Sequence, residues 1–494
     1  MKKIISMLII LTLLLIITAC AADESGNIPE STTGAKTDET TAVVQEYKPP
    51  NVNYNGAVIN IGAMDHIVRG VTLTWHVTKY CDAYAPEQDG DPINDALYLR
   101  NQKIEEELGV TIKTYPFQDR TTCGPELQKL IMADEDAVDI AYINGNNLPL
   151  FMGNNLVIDF YTISNLDLSH SWWDQNGVKE FELFGKLQVV TGDISFYLQF
   201  APIVLFFNKY LADEYKLENM YDLVRANNWT IPKMMGMCKT VAHDVNGDGI
   251  MDINDCYGHM AVNFDTNNFI IASGIRYTQK DNAGIPQIAF NKQRTVDVVE
   301  MCVPFMNDTS MVLLDTNWNS KYTNVYLELQ VPMFIDNRAL FHTNQLLITM
   351  EMRSMDSDFG ILPTPKYDSN QKDFYCQVSN SWGTYIVIPT TNSKLEMTGH
   401  VLEAMGYYSQ QEVTTAYIDT TVLNKALRDE DSVEMLKLIF DNRFYDLGQI
   451  FNWGGITTFF INMQTSKNIN FASEYAKIET KMQTEIDKTV DMLR

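Results

Sequence analysis

The chain is poor in the residues that most catalytic and metal chemistry needs. It has 7 histidines and 7 cysteines in 494 residues. The histidines do not fall at metal or triad spacing, and no CxxC or Cys/His pattern suggests zinc. No G-x-S-x-G, H-E-x-x-H or G-x-x-x-x-G-K-[ST] occurs, nor a G-x-G-x-x-G after a strand, so the familiar hydrolase, zinc-protease and nucleotide signatures are missing. Basic residues are scarce. There are 37 Lys and Arg against 63 Asp and Glu, a net charge of −26. That balance argues against nucleic acid and against anionic membrane surfaces as partners. Beyond the N-terminus no run reaches the ~18 apolar residues of a membrane span.

What the chain does have is a globular composition, 45% hydrophobic with 24 Tyr, 23 Phe and 7 Trp, and length for two or three domains. Lys2 and Lys3 precede an apolar stretch from Leu8 to Ile17, the layout of a signal peptide. It ends in Ile17-Thr18-Ala19-Cys20, small residues before a cysteine, which matches a lipobox. The expectation is a leader over 1–19, lipidation of Cys20 and a diacylglycerol anchor; the alternative is an ordinary secretory signal with an incidental cysteine. Residues 20–54 are polar and poor in aromatics, the composition of a tether. The six remaining cysteines either pair in an oxidising exterior or stay free and buried, and spacing does not decide between these.

The most specific chemical signal is the stretch 244–255, DVNGDGIMDIND. Asp244, Asn246, Asp248, Asp252 and Asp255 place oxygens at positions 1, 3, 5, 9 and 12. Gly249 stands at 6, and the Ile250 carbonyl at 7 adds a further oxygen. This spacing suits a Ca²⁺ loop, which needs six to eight oxygens on a tight turn. The competing reading is a set of Asx turns serving only the backbone.

Apolar, β-branched runs at 57–64, 110–114 and 138–143 alternate with helical patterns at 94–108 and 126–132, the rhythm of a parallel sheet with covering helices. Asp91 or Asn94 caps the first helix, and Thr230 with Pro232 opens another. Further strands are expected at 187–193, 203–209, 339–342, 359–363 and 384–389, and helices at 395–409, 432–442 and 470–492.

Several segments stand together in one order. These are the lipobox at Cys20, then Gly192-Asp193-Ile194-Ser195 running into Val204-Leu205-Phe206-Phe207-Asn208-Lys209, then Asn228-Trp229-Thr230 and the 244–255 loop. Asp358 to Pro363, Ile386 to Pro389, Tyr445 to Gly448 and Asn452 to Gly455 complete the series. With this set the chain resembles the extracellular solute-binding proteins of family 1, the lipid-anchored oligosaccharide-binding components of ABC importers. The resemblance implies an α/β, two-lobed, type II periplasmic-binding-protein-like fold with the ligand in an interlobe cleft. It implies one lobe from 55–200 plus 383–435 and another from 201–382 plus 436–494, with crossovers near 193–203 and 381–385. It implies a monomer that touches the membrane only through its lipid and passes an oligosaccharide to ABC permease subunits. In relatives that bind alginate-type oligosaccharides a similar loop holds a structural Ca²⁺ remote from the sugar. Those loops have acids at positions 9 and 10, whereas here position 10 is Ile253 and the acid is Asp255.

Sugars present C–H faces and hydroxyl rims, so aromatics and Asp, Asn or Arg are the expected contacts. The candidates are Trp75, Tyr80 and Asp82 after the first strand, Asn144, Asn146 and Asn147 after the third, Asp193 and Trp382 at the crossovers, and Asn452 with Trp453 in a glycine-rich loop. Arg276 and Asn344 are weaker candidates. Trp172, Trp173 and Trp229 read as packing residues. Two other classes stay open: a surface glycan-capture lipoprotein with no dedicated permease, and a secreted polysaccharide-degrading enzyme.

Overall fold

A computed structural model describes residues 47–70, 74–290, 292–419 and 430–493. Cys20, the leader and the tether up to residue 46 lie outside them.

Two sheets organise these residues. The first has the order Thr384–Val387, Ile140–Asn144, Ala57–Met64, Val110–Phe117. Its last three strands are parallel and the returning strand is antiparallel to Ile140–Asn144. The second has the order Phe359–Leu362, Ile203–Asn208, Ala339–Gln345, Tyr257–Ala261, Val312–Leu314. Ile140–Asn144 and Ile203–Asn208 are buried at every position, as central strands covered on both faces must be. Their uninterrupted apolar runs carry that burial in the sequence.

Local chemistry sets the helix ends. The Asp91 side chain accepts from the amides of Ile93 and Asn94 and starts Pro92–Leu108; Gly109, at φ 62°, ends it. Thr230 accepts from the Lys233 amide and starts Ile231–Val241. The strand expected at 187–193 does not form. Val190 makes a single bridge to Ile386 and Gly192 one to Trp173, so the segment divides its pairing between two partners and forms no continuous ladder. Trp173 and Trp229 are buried, and Trp229 Nε1 donates to the Pro363 carbonyl at 2.9 Å. All six cysteines in the described residues are unpaired and buried. Burial pushes the thiols of Cys81, Cys256 and Cys376 up to about 12 and that of Cys123 to about 11.

The chain passes between the sheets at 190–203, through the short helix Phe196–Phe200, and returns between Leu362 and Thr384. It crosses again after the helix Leu395–Tyr408. The helix Glu430–Asp441 meets the second group of elements through Tyr221 Oη–Ser432 Oγ at 2.7 Å and the Arg225–Glu434 pair. The boundary expected at 435 would cut this helix, which packs as one piece. The C-terminal helix Phe471–Leu493 lies against Phe290 and Lys292.

Both main crossings are tied to one carboxylate. Asp82, 1% exposed, accepts from the Tyr197 amide at 3.0 Å and from Thr384 Oγ1 at 2.7 Å. Thr384 Oγ1 also bonds Ser195 Oγ. Desolvation pushes the Asp82 carboxyl up to about 6, with the hydrogen bonds opposing it. The folded protein therefore holds this proton where the unfolded chain has released it. Stability associated with Asp82 is present below the unfolded value near 3.8 and is lost as pH rises towards 6. Asp82→Asn keeps an acceptor for the Tyr197 amide and removes the titration. The difference in unfolding free energy between pH 4 and pH 7, followed by urea melts, should change by on the order of 2–3 kcal/mol in Asp82→Asn relative to the parent. An identical pH profile in the two proteins would show that Asp82 does not titrate in this range.

Candidate functional site

In parallel sheets the loops at the carboxyl ends of strands converge on ligands. Here the carboxyl ends of both sheets meet. Ala57–Met64 leads to Trp75, Val110–Phe117 to Arg120, Ile140–Asn144 to Asn146, and Tyr257–Ala261 to Phe264 and Asn267, while Ala339–Gln345 ends in Asn344 and Gln345. The antiparallel strands begin at the same place, with Ile203 on one side and Trp382 just before Thr384 on the other. These residues line a cavity of about 330 Å³ together with Tyr326, Gln449 and Thr457. A second hollow of about 260 Å³ adjoins it and shares Trp75, Arg120, Ser381 and Trp382.

The aromatic wall is a packed set. Trp75 meets Trp382 edge-on, with centroids 6.0 Å apart at 81°, and lies 6.3 Å from Tyr326. Tyr326 Oη donates to Asp315 at 3.0 Å, and burial pushes the Asp315 carboxyl up to about 6. The Arg120 guanidinium lies over the Trp382 ring, 4.3 Å from its centroid. The turn after Ile140–Asn144 is made by Asn144, whose side chain accepts from the Asn146 amide at 3.1 Å. Asn146 is thereby thrown outward, and its Nδ2 donates to Ser381 Oγ at 3.3 Å.

The structure brings Trp75, Asn146 and Trp382 together in this cavity, along with the weaker candidate Asn344. The other expected contacts lie elsewhere. Tyr80 is buried, donates to Asp91 and packs edge-on against Phe196. Asp82 is spent on the crossings. Asn144 is buried as the turn-maker, and Asn147 is buried with Nδ2 on the Arg120 carbonyl. Asp193 accepts from Gln199, Gln410 and Thr414. It lines a separate hollow of about 540 Å³ with Trp173 and Arg443. Arg276 pairs with Glu180 outside the cavity. Trp453 is 2% exposed, with Nε1 on Thr489 Oγ1 at 3.0 Å and its ring stacked on Phe451. The glycine-rich loop thus approaches the C-terminal helix rather than a ligand, and the Gly454 amide donates to Glu485. Asn452, at φ 51°, accepts from Thr457 to start the following helix.

Sequence reasoning missed Arg120, Phe264, Asn267, Tyr326 and Gln449. The signal for Arg120 is in the sequence: it follows the run at 110–114 and stands three residues past the observed strand end at Phe117, as Trp75 and Asn146 follow theirs. Tyr326 and Gln449 arrive on helical segments far along the chain, and no local pattern marks them.

The loop 244–255 is folded by its own amides. Asp244 accepts from Gly247 and Gly249, Asn246 from Asp248, Asp248 from Ile250, and Asp252 from Asn254, each at 2.7–2.8 Å. Asp255 is fully buried and accepts from the amides of Val245 and Asp252. It therefore closes the loop as a hydrogen-bonded clamp. Among the described residues no three His, Cys, Asp or Glu side chains are grouped so as to hold a metal ion.

No protein-family model and no curated protein matches the chain. Solved structures do. The ABC substrate-binding protein Lmo0181 from Listeria monocytogenes, in complex with cycloalternan, is similar at a TM-score of 0.53 and 12% identity, over 89% of this chain and 99% of that one. A cyclo/maltodextrin-binding protein complexed with maltotetraose gives 0.54 and 11%, over 89% and 96%. UgpB from Mycobacterium tuberculosis, in complex with glycerophosphocholine, gives 0.53 and 12%, over 81% and 97%. The described chain thus has the two-lobed α/β fold of ABC sugar- and solute-binding proteins.

Proposed function

We propose that this protein captures a carbohydrate, most simply an oligosaccharide, in the cavity between its two sheets and delivers it to an ABC importer permease. In this reading Cys20 carries the lipid that holds the protein outside the cytoplasmic membrane. The observation that carries it is the cavity: aromatic rings and a majority of neutral amides and hydroxyls face one another across the carboxyl ends of both sheets. Rings suit the C–H faces of sugars, and amides and hydroxyls suit their rims. That lining includes no Asp or Glu among the described residues. A glycosidase uses a pair of them, so the lining favours binding over degradation. The solved structures of the same fold bound to cycloalternan and maltotetraose point the same way.

A thermal-shift and calorimetry screen of oligosaccharides tests this. A true ligand at ~100 times its dissociation constant should stabilise by ~2.7 kcal/mol. Stabilisation by peptides alone would defeat the sugar assignment. With the ligand in hand, Trp75→Ala should weaken binding roughly tenfold or more. Trp453→Phe, which loses the bond to Thr489 inside a packed region, should lower stability by about 1 kcal/mol and leave affinity in place.

The calcium site is a separate part of this proposal. Asp244, Asn246, Asp248, the Ile250 carbonyl, Asp252 and Asp255 would supply its oxygens, on a loop whose turns the amide hydrogen bonds to these side chains already hold. Calcium at ten times its dissociation constant should then raise stability by ~1.4 kcal/mol, reversed by a chelator and with sugar affinity unchanged. A melting temperature indifferent to calcium would leave 244–255 a hydrogen-bonded turn.

A further inference from the structure

The net charge of −26 comes from 63 acidic residues, yet none of them is among the described residues lining the 330 Å³ cavity. Its polar lining is amide and hydroxyl, with one exception, Arg120, which also lines the adjoining hollow. The Arg120 guanidinium sits over the Trp382 ring, 4.3 Å from its centroid, and Trp382, 8% exposed, is itself met edge-on by Trp75. Among the described residues no carboxylate lies at ion-pair distance from Arg120 and no acceptor meets its N–H groups. Its chain neighbour Asp119 lines the smaller hollow but turns an oxygen back onto Thr121 and Thr122.

A guanidinium offers five donors in a planar fork that matches an oxyanion bidentately. The Trp382 ring and the charge of Asp119 offset part of its burial, but its N–H groups meet no acceptor among the described residues, so the hydrogen-bonding part of the desolvation cost is left uncompensated. Neutral hydroxyls would recover part of that cost; a carboxylate, sulfate or phosphate would recover more, since charge-assisted bonds are about twice as strong. The rest of the surface repels anions, so preference for one must arise inside the cavity.

We propose that the ligand is an oligosaccharide bearing an anionic group and that Arg120 reads that group. This deepens, and rests on, the carbohydrate reading above.

The test compares skeletons that differ only in charge. Oligogalacturonides are measured against their methyl esters, and sulfated and phosphorylated oligosaccharides against their unsubstituted parents, by calorimetry on the intact protein. Which pair discriminates identifies the anion as carboxylate, sulfate or phosphate. In at least one pair the anionic member should bind roughly 10- to 100-fold more tightly. In Arg120→Gln the discrimination within that pair should collapse to about threefold or less, and Arg120→Lys, which keeps charge but not the fork, should retain part of it. Neutral members that bind as tightly as their anionic partners would overturn this inference and leave the carbohydrate reading standing. Undiminished discrimination in a folded Arg120→Gln would overturn it as well. Failure of every glycan, charged or neutral, would remove the carbohydrate reading and this inference together.

Discussion

A single buried carboxylate sets the register of the cavity. Asp82 bonds the backbone at Tyr197 on one crossing and the hydroxyl of Thr384 on the other. Two residues before Thr384 stands Trp382, and three residues after the helix Phe196–Phe200 begins the strand at Ile203. Both are cavity walls. The contact of Arg120 with Trp382, and the edge contact of Trp75 with it, are therefore held at second hand by a buried group outside the cavity lining. Removing a carboxylate from water is expensive, and hydrogen bonds from Tyr197 and Thr384 with a raised proton affinity are how this one is accommodated.

Much of the architecture was legible because burial writes itself into composition. Fully apolar runs such as 203–207 have only one place to go, and Asp91 and Thr230 announce helix starts by capping chemistry. The cavity was less legible, since strand ends place residues near it but do not say which side chain turns inward. Of Asn144, Asn146 and Asn147, the middle one faces the cavity because the first spends its oxygen on the turn. Trp453 illustrates a different limit. Its glycine-rich surroundings signal a close backbone approach, and that signal was sound; what approaches is Glu485 of the C-terminal helix.

The loop 244–255 shows two functions competing for one pattern. Asp and Asn at alternate positions with glycine between them suit both a cation cage and a ladder of Asx turns. Residue identity is the same in either case, and a carboxylate has oxygens enough for both an amide and a cation. Asp255 is the telling position. Buried completely and bonded to amides at both ends of the loop, it joins 244–255 to the strand that follows, whatever the outer oxygens hold.

The six buried cysteines carry a consequence for how such a chain matures. None is paired, and burial keeps their thiols protonated far above neutrality. The thiolate is the species that exchanges and oxidises. Among the described residues, assembly of this fold therefore waits on no disulfide, and these six thiols offer no handle for cross-linking. It should fold as readily in reducing surroundings as in oxidising ones, its core closing on sulfur as it closes on any other small apolar group.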